Sequence, residues 1–262
     1  MRSLDIAATG VLAMELMTDV ISNNLANINT TAYKLQRPGF QDLLYQDLRR
    51  MGTNSSDNGT IVPTGIQLGS GVKTGAIYRN TGVGPLQSTS GPLDLAIQGK
   101  GYFQVQMPDG STSYTRDGSF QLSSTGQIVT ADGYPILPNI TIPQGATSIS
   151  IEQTGDVFVQ LQAQVNPQQV GTIQLASFLN ENGLSAVGNN LLQQTAASGP
   201  PTLANPGSEG EGNVMEGFLE SSNVDPVTEI TNLIRAQRAY EFNTKVITKS
   251  DEMQQDLFQS IT

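Results

Sequence analysis

Residues 1–30 read MRSLDIAATGVLAMELMTDVISNNLANINT, and this stretch decides the fold. Steps of three and four residues along it reach a nearly continuous apolar series: Leu4, Ala7, Val11, Met14, Thr18, Ile21, Leu25 and Ile28. A heptad spacing that lasts for about four repeats is typical of a helix that packs against other helices. The spacing therefore predicts a long N-terminal helix with an apolar seam.

The C-terminal end of the chain shows a related pattern. Asp225-Pro226 has the residue types of a helix start, with Asp as the N-cap and Pro in the first turn. Apolar periodicity then continues for about 36 residues to Ile261. One stripe contains Ile230, Leu233, Tyr240, Ile247, Phe258 and Ile261, and a second contains Ala236, Ala239, Val246, Met253 and Leu257. Two apolar stripes predict that this helix has contacts on more than one side.

The middle of the chain lacks helical periodicity. Residues 51–91 are rich in Gly, Ser and Thr, which predicts an extended ribbon or long hairpin that a partner braces. Residues from 92 to about 180 contain short alternating runs, and Asp109-Gly110, Asp117-Gly118 and Asp132-Gly133 between them are typical of hairpin turns. These patterns predict a mostly β domain, followed by a Pro/Gly-rich connector at 195–213.

The predicted fold class is therefore α+β. Long N- and C-terminal helices of the coiled-coil-forming kind flank an extended β ribbon and a mostly β central domain. The predicted segments are an N-terminal axial helix at 1–32, a connecting ribbon or hairpin at 33–91, a β-rich outer domain at 92–212, and a connector with a C-terminal axial helix at 213–262. The two helices can meet only if the chain termini come back together.

The composition excludes most kinds of catalytic site. The 262 residues include no Cys, His or Trp, and 23 acidic against 13 basic residues give a net charge of -10. Without Cys and His, we expect no disulfide, no metal site, no cofactor and no catalytic triad. The acidic balance argues against a nucleic-acid partner, and the lack of about 18 consecutive apolar residues argues against membrane insertion. Asp5, Glu15 and Asp19 interrupt any apolar core of a cleaved signal peptide.

Three features leave alternatives open. The carboxylates of Asp109 and Asp117 allow a glycan hydrolase acting on the cell wall, although Asp-Gly is more often a hairpin turn. Arg235 and Arg238 are compatible with surface ion pairs along the helix or with an intersubunit contact. The Asn-rich segment 22–31 is either a fraying helix end or a site where amide side chains fix the packing register.

Several stretches resemble the family of flagellar basal-body rod and hook proteins. Val20–Thr30 resembles the N-terminal signature of that family, and Glu216–Val224 followed by Ala236–Glu241 resembles its C-terminal helix. Three stretches resemble the central β domain of the family: LDLAIQGKGYF at 93–103, Tyr114–Phe120 and Asp132–Pro135. Within the family, Phe40–Gln46, Leu48–Arg50 and Pro63–Val72 are most similar to the members that form the distal rod.

This resemblance implies a structural subunit of the bacterial flagellum and not an enzyme. It implies export through the flagellar type III apparatus without a cleaved signal peptide, and self-assembly into a hollow helical tube in the periplasm and outer-membrane zone. That tube would link the proximal rod to the hook and transmit torque. The implied partners are further copies of the chain, proximal rod proteins, the hook protein, the surrounding ring proteins and the export apparatus. A proximal rod or hook subunit is the alternative within the family.

The candidate site is a self-assembly surface on the two helices, with additional contacts on the ribbon. The predicted helix residues are Leu4, Val11, Met14, Ile21, Asn24, Leu25, Asn27, Ile28, Ile230, Leu233, Arg238, Tyr240, Ile247, Phe258 and Ile261. The predicted ribbon contacts are Leu43, Tyr45, Ile66 and Leu68. No catalytic, cofactor-binding or metal-binding residue is predicted.

Overall fold

The computed structural model describes residues 2–49, 51, 64–162, 166–208 and 210–261. These residues form two α-helices, α1 (Arg2–Ala26) and α2 (Pro226–Ile261), and one short 3-10 helix, Glu181–Gly183. Among them, neither long helix is apolar enough to cross a membrane. A helix at each end of a mostly β region confirms the α+β class.

Twenty strands lie between the helices in the described part of the chain. The first ten are β1 (Gln36–Asp42), β2 (Tyr45–Arg49), β3 (Ile66–Gly69), β4 (Val72–Arg79), β5 (Leu86–Ser88), β6 (Leu95–Gln98), β7 (Tyr102–Gln106), β8 (Thr112–Thr115), β9 (Gln121–Leu122) and β10 (Ile128–Val129). The others are β11 (Ile136–Leu137), β12 (Ala146–Ile151), β13 (Asp156–Leu161), β14 (Gln168–Thr172), β15 (Leu175–Ser177), β16 (Ser185–Gly188), β17 (Leu191–Gln193), β18 (Thr202–Ala204), β19 (Asn213–Glu216) and β20 (Phe218–Glu220).

Helix α1 ends at Ala26, before the end of the predicted helical segment 1–32. The next residues form a turn in which the backbone N–H of Thr30 donates to the carbonyl of Asn27 at 3.1 Å. The Thr30 hydroxyl also donates to the Asn27 side chain at 3.1 Å. Asn side chains favour such local turns over helix interiors, which explains the early end.

Helix α2 begins as its sequence predicts. The Asp225 carboxylate accepts hydrogen bonds from the backbone N–H of Val227 at 3.2 Å and from the Thr228 hydroxyl at 2.5 Å. The hydrogen bond from Thr228 is the main reason why the pKa of Asp225 lies below its usual value. The N-cap satisfies N–H groups that have no partner inside the helix, and Pro226 lacks such a group.

The chain forms two compact units. The helical unit contains the described residues of Met1–Ala26, Gln36–Tyr78 and Asp225–Thr262, and the β unit contains those of Asn27–Leu35 and Arg79–Val224. In the helical unit, α1 packs against α2, β1 pairs with β4, and β2 pairs antiparallel with β3. The tip of the predicted ribbon, residues 52–63, lies outside the described residues.

The β unit is built around a seven-stranded sheet with the order β16-β17-β8-β7-β15-β18, in which β11 also pairs with β7. A three-stranded sheet, β12-β13-β14, and the pairs β6–β19, β5–β20 and β9–β10 complete it. Its main core consists of buried branched and aromatic side chains: Leu95, Ile97, Phe103, Phe120, Ile128, Ile136, Ile140, Ile142, Ile151, Val157, Val159, Ile173, Leu175 and Val214. Burial of this apolar surface is the main stabilising contribution to the β unit.

Two of the three predicted hairpin turns are confirmed. Asp109-Gly110 joins β7 to β8, and Asp132-Gly133 joins β10 to β11. The prediction is wrong for Asp117-Gly118, where the Gly118 carbonyl accepts a hydrogen bond from the backbone N–H of Leu95. A Cβ atom on Gly118 would lie 1.6 Å from the Leu95 carbonyl oxygen, so this glycine is required by the close approach of two backbones.

Candidate assembly interface

The two terminal helices pack antiparallel in a fixed register. The hydroxyls of Ser3 and Ser250 are 3.3 Å apart, and a Cβ on Gly10 would lie 2.8 Å from the side-chain nitrogen of Asn243. Moving seven residues along α1, from Ser3 to Gly10, thus moves the contact seven residues back along α2. Since seven residues span about two helical turns, each step returns to the same face of both helices.

The same register continues to a buried hydrogen-bond network at the end of α1. Asn24 donates through its amide nitrogen to Glu229 at 3.0 Å and to the carbonyl of Gln36 at 2.8 Å. Its amide oxygen accepts from the backbone N–H of Gln36 at 3.0 Å. Asn24 and Glu229 are both buried, and Asn232 also donates to Glu229 at 3.2 Å. The Asn24 side chain therefore acts like a strand partner for Gln36 and also connects α1 to α2.

The predicted α1 residues lie mostly beside this line of contact. Ile21 and Asn24 are buried, whereas Leu4, Val11, Met14 and Leu25 are half-buried. Asn27 and Ile28 follow the end of α1, belong to the β unit and are half-buried there. The contacts with α2 that define the register are made by Ser3, Gly10 and Asn24, which are small or polar. The role of the predicted N-terminal residues as an assembly surface stays a prediction.

The predicted α2 residues divide by burial. Leu233 and Ile247 are half-buried, while Ile230, Arg238, Tyr240 and Phe258 are exposed. Arg238 donates to Glu241 at 2.9 Å, an exposed ion pair between residues one turn apart. Such a pair contributes little to stability, about 0–1 kcal/mol. The side chain of Ile261 lies outside the described residues.

The predicted ribbon contacts are on or next to the β2–β3 pair. Leu43 is half-buried between β1 and β2, and Tyr45, Ile66 and Leu68 are exposed on the two strands. Tyr45 is opposite Gly69 in the antiparallel register. Their function in contacts between subunits stays a prediction.

The β unit contains a buried ionic network that the sequence did not indicate. Glu220, which ends β20, is 1% exposed and accepts hydrogen bonds from Lys34 at 2.5 Å and from Arg116 at 3.2 Å. The backbone N–H of Gly84 also donates to Glu220, at 2.8 Å. Burial lowers the pKa of Lys34 from its ordinary value of 10.5, although the Glu220 carboxylate acts in the opposite direction. Lys34, Arg116 and Glu220 stand in stretches of mixed polarity, so no local sequence signal points to their burial.

The carboxylates considered for catalysis are engaged in local turns. Asp109 accepts from the Ser111 hydroxyl at 2.6 Å, and this hydrogen bond lowers the pKa of Asp109. Asp117 accepts from the backbone N–H and the hydroxyl of Ser119. The general acid of a glycosidase needs a raised pKa, so the arrangement at Asp109 favours a structural role. Across the described ranges, no group of three or more acidic side chains could hold a metal ion.

Three family models match the chain along its length. The model described as flagella basal body rod protein matches residues 4–34, the flagellar hook protein FlgE/F/G D1 domain matches 96–159, and the flagellar basal body rod FlgEFG protein C-terminal matches 215–260. The first and last matches cover most of α1 and α2, and the middle one covers β6 to most of β13. Matches to the two terminal helices and to the central β region together identify a rod or hook protein of the bacterial flagellum.

Comparison with individual relatives identifies the family of the chain more specifically. It is 56% identical over 255 residues to the flagellar basal-body rod protein FlgG of Caulobacter vibrioides, covering 97% of each chain. It is 47% identical over 257 residues to FlgG of Buchnera aphidicola, covering 98% of each chain. Identity to the flagellar basal-body rod protein FlgF of Caulobacter vibrioides is 31% over 242 residues, covering 90% of this chain and 87% of the relative. The chain belongs to the FlgG family of flagellar basal-body rod proteins.

Proposed function

We propose that this chain is the structural subunit of the distal flagellar rod and that it assembles with copies of itself through its terminal helices. The observation that carries the proposal is the antiparallel α1–α2 pair, whose flanks retain apolar side chains after the two helices have packed. Val246 is 46% exposed and Tyr240 is 43% exposed on α2. A helix pair with remaining apolar stripes fits a polymer in which each pair packs between others.

The relatives favour the distal rod over the other axial positions. Within one organism, Caulobacter vibrioides, this chain is 56% identical to FlgG and 31% identical to FlgF. This difference supports an FlgG-type subunit and not the proximal rod or hook alternative. The role is mechanical, because a hollow tube of such subunits would connect the proximal rod to the hook and transmit torque.

The remaining parts of the proposal concern location and partners. The subunit would pass through the flagellar type III export apparatus without a cleaved signal peptide and reach the periplasm and outer-membrane zone. There it would contact proximal rod proteins, the hook protein and the surrounding ring proteins. The helices would form an inner coiled-coil layer, and the β2–β3 strands would brace neighbouring subunits. Exposed Tyr45, Ile66 and Leu68 on this pair support the last point.

Electron microscopy of basal bodies from a strain without this gene tests the proposal. We expect a rod that stops before its distal segment and carries no hook. A complete rod that lacks only the hook would indicate that the subunit belongs further outward along the axis. Intact, rotating flagella would contradict a rod function.

Two substitutions test the role of the helices in the same assay. Leu25→Asp and Ile247→Asp place a charge on half-buried helix positions. We expect both to prevent rod completion while the monomer stays soluble. Leu203→Asp, at an exposed position in the β unit, is the matched control and should assemble. Normal rods from both helix variants would contradict assembly through the terminal helices.

A further inference from the structure

The two helices together form a groove on one flank. It has a volume of about 360 Å³ and is lined by Glu15, Thr18 and Asp19 of α1 and by Gln237, Tyr240 and Glu241 of α2. Three of these six residues are acidic, and all three are exposed. The hydrogen bond from Arg238 to Glu241 offsets one of these charges, so the groove keeps an excess of negative charge.

The other flank of α2 has the opposite character. Arg235, Phe242, Val246, Lys249 and Met253 are separated by seven, four, three and four residues, and all five are exposed. Residues with this spacing lie on one face of a helix, which we call the basic stripe. Phe242 is 64% and Met253 is 55% exposed, and the cations of the stripe are Arg235 and Lys249, of which Lys249 also pairs with Glu252 at 2.5 Å. Lys245 lies beside this face with its ammonium group 5.8 Å from the Phe242 ring.

The groove and the basic stripe lie on opposite sides of the line where α2 contacts α1. Ala236 is buried in that line, Arg235 precedes it on the basic stripe, and Gln237 follows it in the groove. Since successive helical residues are about 100° apart, the two neighbours project to opposite flanks. One copy of the helix pair therefore presents an acidic groove on one flank and a basic, partly apolar stripe on the other.

We propose that the basic stripe of one copy of this chain occupies the acidic groove of the next copy. The proposal rests on the proposed self-assembly and specifies which surfaces meet. Charge complementarity selects a second copy as the occupant, because the chain supplies both the acids and the bases. Different surfaces on the two partners make a heterologous contact, which repeats around a ring or along a helical filament. The Phe242 and Val246 side chains supply apolar area at the Tyr240 wall of the groove.

Reversal of charge on each side tests the contact in cells. The acidic-side variant is Glu15→Lys with Asp19→Lys, and the basic-side variant is Arg235→Glu with Lys249→Glu. Each places like charges across the interface, so we expect at least ~10-fold fewer hook-bearing basal bodies from either. The fourfold variant restores opposite charges between the four changed positions and should recover assembly. Asp109→Lys with Asp132→Lys changes the net charge as the acidic-side variant does, at exposed turns of the β unit, and should assemble normally.

The outcomes separate this contact from the proposed function. Normal assembly of either reversed variant, or failure of a soluble fourfold variant to recover, would overturn the contact even if the gene deletion removes the distal rod. Complete rods in the deletion strain would instead overturn the proposed function. Full-length rods without hooks in the reversed variants would show that another flagellar component, and not a second copy, occupies the groove.

A cysteine cross-link tests the same contact directly. The chain has no natural Cys, so Asp19→Cys with Lys249→Cys introduces the only two thiols. Within one copy these positions are separated along the helix pair by about fifteen residues, or roughly 22 Å, too far for an internal disulfide. Oxidation of isolated basal bodies should therefore give dimers and larger multimers. Monomers alone would contradict the contact, and Asp19→Cys with Asp109→Cys, an exposed turn residue of the β unit outside both surfaces, should not form multimers.

Discussion

At the scale of single residues, three of the buried polar side chains lie in or near the segments that follow α1 and precede α2. Asn24 is in the last turn of α1, Lys34 precedes β1, and Glu220 precedes the start of α2. Each of them has hydrogen-bond partners, which offsets the cost of removing a polar group from water. These side chains hold the chain in place where it passes between helix and strand.

Replacing Glu220 with Gln should strongly destabilise the β unit. The substitution keeps the shape of the side chain but leaves Lys34 and Arg116 as buried cations without a carboxylate partner. Loss of one member of a buried ionic pair costs about 3–5 kcal/mol of unfolding free energy. Urea unfolding of the purified chain measures this loss. Glu241→Gln removes a carboxylate from an exposed pair and should change the stability by at most about 1 kcal/mol.

Tyr102 should make the protein sensitive to alkaline pH. Burial, followed by the charge of Glu181, raises the pKa of Tyr102 above its ordinary value of 10.0. The unfolded chain thus loses this proton first, and stability falls as the pH rises above about 10, by up to about 1.4 kcal/mol per pH unit. Tyr102→Phe should reduce this slope in urea unfolding measured from pH 8 to 11, whereas Tyr78→Phe, at an exposed site, should not. An unchanged slope in Tyr102→Phe would disprove the assignment.

At the scale of elements, the sequence allowed the start of a helix to be predicted. It did not show which face of α1 contacts α2. Asp225-Pro226 predicted the start of α2 because an N-cap depends only on neighbouring residues. The apolar period of α1 selected Leu4 and Val11, but the contacts that define the register with α2 include Ser3 and Gly10. Small side chains allow two helices to approach closely, and a count of apolar residues does not detect them.

The ionic network was beyond sequence reasoning for a different reason. Lys34 and Glu220 are 186 residues apart in the chain, and no local pattern pairs residues at such a separation. The periodicity of α2 places Val246 and Met253 on one apolar stripe, and both belong to the proposed basic stripe. The acidic groove requires Glu15 and Glu241 to be brought together by the register of α1 and α2.

A disulfide between Ser3→Cys and Ser250→Cys should form within one chain and confirm the register. The two hydroxyl oxygens are 3.3 Å apart, so two thiols at these positions are within bonding range after a small adjustment. The control, Ser3→Cys with Asn243→Cys, moves one partner by seven residues, or about 10 Å along α2, and should not form an internal bridge. Mobility of oxidised protein from isolated basal bodies measures the result. Dimers from the first variant would mean that α1 pairs with α2 of a neighbour.

At the scale of the whole molecule, the two units should differ in their dependence on the terminal helices. The β unit includes Asn27–Leu35, which supplies Lys34 and the buried side chains of Ala32 and Leu35. A chain of residues 27–224 should therefore unfold cooperatively without forming rods. A chain of residues 36–224 lacks those three side chains and should be less stable by at least ~2 kcal/mol. Equal urea midpoints for the two chains would contradict the assignment of 27–35 to the β unit.

The shared register of α1 and α2 also constrains how the gene can change. A codon inserted between Gly10 and Asn24 changes the spacing of these residues along α1, so their contacts with Asn243 and Glu229 cannot both keep the register. A matching insertion between Glu229 and Asn243 in α2 restores it. The paired segments of the two helices, although more than 200 codons apart, can therefore lengthen or shorten only together. A functional variant with an unmatched insertion of three or four codons in the middle of α1 would refute this coupling.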